Sequence, residues 1–196
     1  MRIRFSHAFS SAALAGVALV SQPSVAAGPP DSKELIAAQQ IAIAPLKIFD
    51  GVWRGPATVI TAAGKFEITQ TERVGGFLSD SVKVIEGRGY SADGAQQINA
   101  FGVISFSPQA NKYGFRSYAQ GYSGDFVIDV CSDGFTWTIP AGPNTTSRYV
   151  ATVKDNTWGE VGDRIVEGQT PMRIFEMALK RVGDTDWPAG GAITQK

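Results

Sequence analysis

The chain has 196 residues, 18 basic and 18 acidic side chains, one histidine and one cysteine. With the charges balanced and no basic run or patch, nucleic acid is excluded as the expected partner. The length suits one domain with one sizeable core, and 22 glycines beside 10% aromatics suit many short strands joined by tight turns.

Residues 1–27 read as a secretory signal peptide. Arg2 and Arg4 form a basic start, Ala8 to Val20 is apolar, and Gln22-Pro23 leads into Ser24-Val25-Ala26-Ala27. Cleavage is expected after Ala26 or Ala27, which makes the protein periplasmic or secreted. The apolar run is too short for a stable span, so no membrane segment is expected after cleavage. The alternative of an uncleaved anchor stays open. Cleavage also removes His7, the sole histidine. A Ser-His-Asp triad, a His-ligated haem and most zinc sites each need an imidazole, so no cofactor and no metal is expected. Cys131 is alone and cannot form an internal disulfide. Its place at a strand end reads as a small packed side chain.

Residues 28–50 form a linker and a helix. After Gly28-Pro29-Pro30, Asp31-Ser32 caps a helix whose apolar face is Leu35, Ile36, Ala38, Ile41, Ile43 and Leu46, and Pro45 ends or kinks it. Such a helix either packs over the end or side of the following domain or acts as a lid or partner-docking element. Strand signals then succeed one another. Val52–Thr61 and Phe66–Val74 flank an Ala-Ala-Gly-Lys hairpin loop, and Gly75-Gly76 separates them from Ser79–Tyr90. Gln97–Phe106, Tyr113–Gln120, Asp125–Cys131 and Phe135–Pro140 follow, each after a Gly- or Pro-containing turn. Thr146–Lys154, Thr157–Ile165 and Met172–Val182 complete the series, and residues 183–196 read as an irregular tail.

About ten strands at a spacing of about 13 residues, with no helix between them, predict an all-β fold. The lack of long cross-connections favours an up-and-down antiparallel β-barrel over residues 51–182. Its first strand carries Gly51-Val52-Trp53-Arg54-Gly55, and its last carries Arg173 and Arg181. In this order of elements, and in its Gly-x-Trp strand, the chain resembles the calycin group of lipocalins, fatty-acid-binding proteins and bacterial lipocalin-like barrels. The resemblance implies that Trp53 packs at a closed barrel end, with Arg181 or Arg173 against it. It also implies a small ligand held in the interior. The chain departs from nitrobindin-like barrels in lacking a mature histidine. The Arg-x-Tyr of fatty-acid-binding proteins has no copy near the last strands; Arg116-Ser117-Tyr118 falls mid-chain, on a face expected to be exposed.

Alternate residues of a strand share a face. Phe66, Ile68, Gln70, Glu72 and Val74 form one stripe, and Val82, Val84, Glu86, Arg88 and Tyr90 another. Phe135, Trp137 and Ile139 share a face, as do Trp158 and Glu160, and Arg173, Phe175, Met177, Leu179 and Arg181. Gly87, Gly89 and Gly102 are candidate bulges that would shift these faces by one residue. If the mixed stripes face inward, Glu72, Glu86 and Glu160 balance Arg88 and Arg173. That set is either a structural ion-pair network or the polar end of a cavity. The candidate ligand-binding residues are therefore Glu72, Glu86, Arg88, Tyr90, Trp137, Trp158, Glu160, Arg173 and Met177. The ligand expected is a small hydrophobic or amphipathic molecule. No catalytic motif is present. The alternatives are a carboxylate-dependent isomerase, cyclase or hydrolase using Glu72 and Glu160, or a non-catalytic envelope interaction module.

Overall fold

A computed structural model describes residues 31–188, so the signal-peptide reading of residues 1–27 lies outside the described residues. Helix α1 (Ser32–Ile43) begins where Asp31 accepts a hydrogen bond from the Lys33 amide at 3.1 Å. At Pro45 the α-helix gives way to a 3-10 segment, Ala44–Phe49. Ten strands follow: β1 (Gly51–Thr61), β2 (Gly64–Phe77), β3 (Val82–Tyr90), β4 (Gln96–Ser107) and β5 (Lys112–Ala119). Then come β6 (Tyr122–Cys131), β7 (Gly134–Gly142), β8 (Thr145–Lys154), β9 (Thr157–Val166) and β10 (Met172–Gly183). Each strand pairs antiparallel with its neighbours in sequence, and β1 closes on β10. The expected up-and-down barrel of ten strands is the observed one. No described helix is long and apolar enough to cross a membrane.

Two strand limits differ from expectation. Gly75-Gly76 continues β2 rather than ending it. The turn lies at Leu78, Ser79 and Asp80, all with left-handed φ (52°, 60° and 64°), so β3 starts at Val82. Glycine at position 75 serves close approach instead: a Cβ there would lie 2.9 Å from the Trp187 Cβ. The tail (Asp184–Pro188) has no regular structure and lies along the outer wall. Trp187 packs edge-on to Phe77 (5.8 Å) and Phe101 (6.4 Å), with the Arg73 guanidinium 5.4 Å from its ring.

A ten-stranded barrel is wider than an eight-stranded one, whose interior side chains alone just fill the bore. Here one end is stoppered by the 3-10 segment. Ile43, Leu46 and Phe49 are fully buried, whereas Ile36 and Ile41, expected on the buried face of α1, are exposed. The reason is that α1 lies across the barrel rim and only its C-terminal end and the following segment enter the bore. Gln39 Nε2 donates to the Phe106 carbonyl (3.3 Å), Gln40 Nε2 to Ser79 (2.6 Å), and Tyr113 Oη to Ala42 (2.7 Å). Phe49 meets Phe135 (5.1 Å) and Trp158 (4.8 Å), and Trp158 is edge-on to Trp53 at 5.9 Å. Trp53 Nε1 donates to the Phe49 carbonyl at 2.7 Å. Register places Arg181, not Arg173, opposite Trp53, and its guanidinium donates to the Asp50 carbonyl at 3.2 and 3.3 Å. Beside them Lys83, with no exposed surface, pairs with Asp50 at 2.5 Å. Cys131, expected to be packed, is exposed at the end of β6.

A buried cation that loses its partner is far costlier than the pair was valuable. Asp50→Asn should therefore destabilise the barrel by about 3 kcal/mol, and adding Lys83→Met should restore most of that loss. Urea denaturation of the single and double variants checks this; equal stability of Asp50→Asn and the parent would refute it.

Candidate functional site

The interior beyond the stopper is not filled. A cavity of about 140 Å³ remains, with Glu72 from β2 and Glu160 from β9 both in its wall. Its origin is visible in the strand register. Gly87, Ala100 and Ala119 align across β3, β4 and β5, and Gly102, Ser117 and Gly124 align in the next row. These small side chains leave space on one side, while Phe115, Phe135, Trp137 and Trp158 line the rest. A second hollow, about 320 Å³, shares Ser117, Ala119 and Trp137 and runs to Tyr122 at the β5–β6 turn, away from the stopper.

Of the predicted site residues, Glu72, Trp137, Trp158 and Glu160 line the cavity. Met177 points inward in register with Glu160. Glu86, Arg88 and Tyr90 do not join them. In β3 the interior side chains are Lys83, Ile85, Gly87 and Gly89, in register with Gly76, Val74, Glu72 and Gln70. Glu86 and Arg88 pair with each other on the outer wall. The stripe misleads because Val84 is buried on the outer side, in register with Gly75, where Trp187 covers the wall. Arg173 is also outside. A bulge between Arg173 and Phe175 interrupts the alternation, and Arg173 pairs with Asp163 at 2.7 Å. The other expected bulges resolve differently. A register shift occurs at Gly89/Tyr90, but Gly87 and Gly102 sit in regular ladder. At Gly87 a Cβ would stand 2.7 Å from the Glu72 carboxylate, so glycine there makes room for that carboxyl group. Arg116 and Tyr118 are on the outer wall, as expected, with Arg116 held by Asp125 at 2.6 Å.

The expected balance of interior charge is therefore absent: two carboxyl groups face the cavity, and none of the cavity-lining residues is basic. Glu72 accepts a hydrogen bond from Gln70 Nε2 at 2.7 Å. Burial nonetheless lifts its pKa well above the usual carboxylate range, opposed by that hydrogen bond and reinforced by the Glu160 and Glu86 charges. Burial raises Glu160 to about 7, against the indole N–H groups of Trp137 and Trp158, which favour its anion. Trp137 Nε1 reaches Glu160 Oε1 in a long hydrogen bond of 3.5 Å. Trp158 Nε1 is buried without a partner of hydrogen-bonding geometry. Tyr149, stacked on Trp137 at 4.5 Å, is raised by burial and by the charge of Glu160. Glu160 can thus take up and release a proton near neutral pH, while burial favours the protonated form of Glu72. Among the described residues no cluster of three or more His, Cys, Asp or Glu side chains is placed to hold a metal ion.

Sequence reasoning missed Phe115, Ala100, Ser117 and Ala119 as lining residues, and took Gly87 and Gly102 for bulges. The signal was present as small side chains at alternate positions on successive strands: Gly87 and Gly89, Ala100 and Gly102, Ser117 and Ala119.

The fold and cavity define a closed, ten-stranded, end-stoppered antiparallel barrel, an architecture that fits the calycin-like type. No family model and no curated protein matches the chain. Among solved structures it is similar to the crystal structure of Rv2717c from M. tuberculosis. The two share 11% identity and a TM-score of 0.54, over 71% of this chain and 96% of that one. That likeness is one of fold.

Glu160 gives a pH signature with a definite sign. Its folded pKa lies above the unfolded value, so the folded state binds the extra proton between about pH 4.5 and 7, and stability falls as pH rises through that window. The parent should lose about 3 kcal/mol across it relative to Glu160→Gln, whose side chain cannot ionise. Urea denaturation at a series of pH values tests this, and parallel profiles for the two proteins would show that Glu160 does not carry the shift.

Proposed function

We propose that the chain is an exported, calycin-like barrel that holds a compact, partly apolar molecule in its interior. The observation that carries this reading is the cavity of about 140 Å³, with aromatic walls and two carboxyl groups. Ligand sites usually have such a mixture, mostly apolar with a few placed polar groups. The volume sets the size of the guest. An engineered protein cavity of about 150 Å³ holds benzene, so this one suits a single ring or a branched alkyl group rather than an acyl chain. The adjoining hollow at Tyr122 supplies an approach from the unstoppered end.

A second reading is acid–base catalysis on such a guest. Its support is that Glu72 and Glu160 share the cavity and both have raised pKa values, the condition under which one carboxyl can donate and another accept near neutral pH.

Ala119→Leu should fill the cavity from β5 and abolish binding of single-ring and branched-alkyl compounds, with a change in stability within about 2 kcal/mol. Tryptophan fluorescence and thermal shift, on parent and variant, read both quantities. Equal binding to the two proteins would place the ligand elsewhere. An intact Ala119→Leu barrel with unchanged turnover of any substrate found would dispose of the catalytic reading as well.

A further inference from the structure

The barrel interior carries acidic groups with no compensating charge, and on the ligand-binding reading above this bears on the charge of the guest. Basic side chains near the bore are committed at its stoppered end: Lys83 to Asp50 at 2.5 Å, Arg181 to Asp184 at 2.6 Å and to the Asp50 carbonyl. The remaining candidates, Arg88 and Arg173, pair with Glu86 and Asp163 on the outer wall. Glu72 and Glu160 are left with no positive partner among the cavity-lining residues.

The surroundings of Glu160 are nevertheless built for an anion. Trp137 Nε1 points to its Oε1, and Trp158 Nε1, on a side chain only 1% exposed, lies near it with no acceptor of hydrogen-bonding geometry. Two indole donors around one carboxyl group hold a carboxylate better than a neutral acid, which has one oxygen already carrying a proton. What the arrangement lacks is positive charge. The remaining wall, Phe115, Phe135 and the two indoles, is aromatic, and aromatic rings attract a cation that has shed its water.

We propose that the molecule this cavity accepts is a compact organic cation of the alkylammonium class, with its charged group beside Glu160 and Glu72 and its methyl or ring carbons against the aromatic wall. Binding takes one proton from Glu160 and releases it to solvent, so the cavity exchanges one positive charge for another. The other titratable neighbour of Glu160 is Tyr149, from β8, which stays neutral; Glu86 faces Glu72 only from behind the wall, where Arg88 neutralises it. Because the guest replaces a proton, its affinity rises with pH while its own charge is fixed.

Tetramethylammonium, charged at every pH, and tert-butanol, similar in shape and neutral, make the test. Titration calorimetry and tryptophan fluorescence are run on the full mature chain at pH 5.5 and 8. Tetramethylammonium should bind about tenfold more tightly at pH 8, and its binding at pH 5.5 should show a buffer-dependent heat that reports proton release, while tert-butanol changes little. Glu160→Gln should weaken tetramethylammonium about tenfold at pH 8 and leave tert-butanol unaffected. If that variant does not fold, the two-pH comparison on the parent decides alone. Binding of tert-butanol without tetramethylammonium overturns the cation and leaves the ligand reading standing. Binding of tetramethylammonium that ignores pH overturns the role of Glu160. Binding of neither overturns the ligand reading itself.

Discussion

The buried hydrogen bond from Trp53 Nε1 to the Phe49 carbonyl ties the 3-10 segment to the first strand of the barrel at the centre of their shared core. The 3-10 segment has no regular partner of its own, and the barrel has a bore too wide for its side chains to close. Tying one to the other converts two incomplete pieces into one core. The Lys83–Asp50 pair and the Arg181 guanidinium on the Asp50 carbonyl fasten the same junction from β3 and β10. This end of the barrel therefore absorbs the interior cations. The rest of the bore is left to aromatic rings, small residues and two carboxyl groups.

That division follows from register. A strand offers alternate side chains to the bore, and a single bulge reverses the assignment. The bulge between Arg173 and Phe175 moves one arginine out to Asp163 while keeping Phe175, Met177 and Leu179 inside. Regular pairing of β2 with β3 sets Gly87, not Glu86 or Arg88, opposite Glu72. Two local facts of backbone geometry thus turn a nearly balanced charge set into an acidic interior. Desolvation does the rest, because a buried carboxyl group without a cation resists ionising.

The architecture was legible because strand periodicity and turn residues are local signals. Ten strand segments, the helix before them and the irregular tail all follow from alternation, glycine, proline and Asx residues. The faces of β2, β7 and β9 were equally readable, since their apolar residues alternate without interruption. β3 was not, because Val84 is buried on the wrong side: its cover is Trp187, about a hundred residues along the chain, and no local pattern announces that contact. Arg173 failed for a similar reason, as an arginine one residue before a bulge looks the same as one in regular ladder. The aromatic and acidic lining was named in advance only where it lay on uninterrupted stripes. Of the small residues that open the cavity, Gly87 and Gly102 were read as bulges and the alanines passed over, because a glycine or alanine signals its role only through what lies across from it.

The alignment of Gly87, Ala100 and Ala119 over three adjacent strands has a further meaning for the fold as a scaffold. Ladder hydrogen bonds run through the backbone and do not depend on these side chains, so the size of the hollow is set separately from the integrity of the wall. Ala100 and Ala119 act as independent volume stops, each adjustable one methylene at a time. Gly87 is different, since a side chain there would displace the Glu72 carboxyl group. The barrel thereby keeps its acidic chemistry and its guest size under separate control, with one position reserved for the charge and two for the shape.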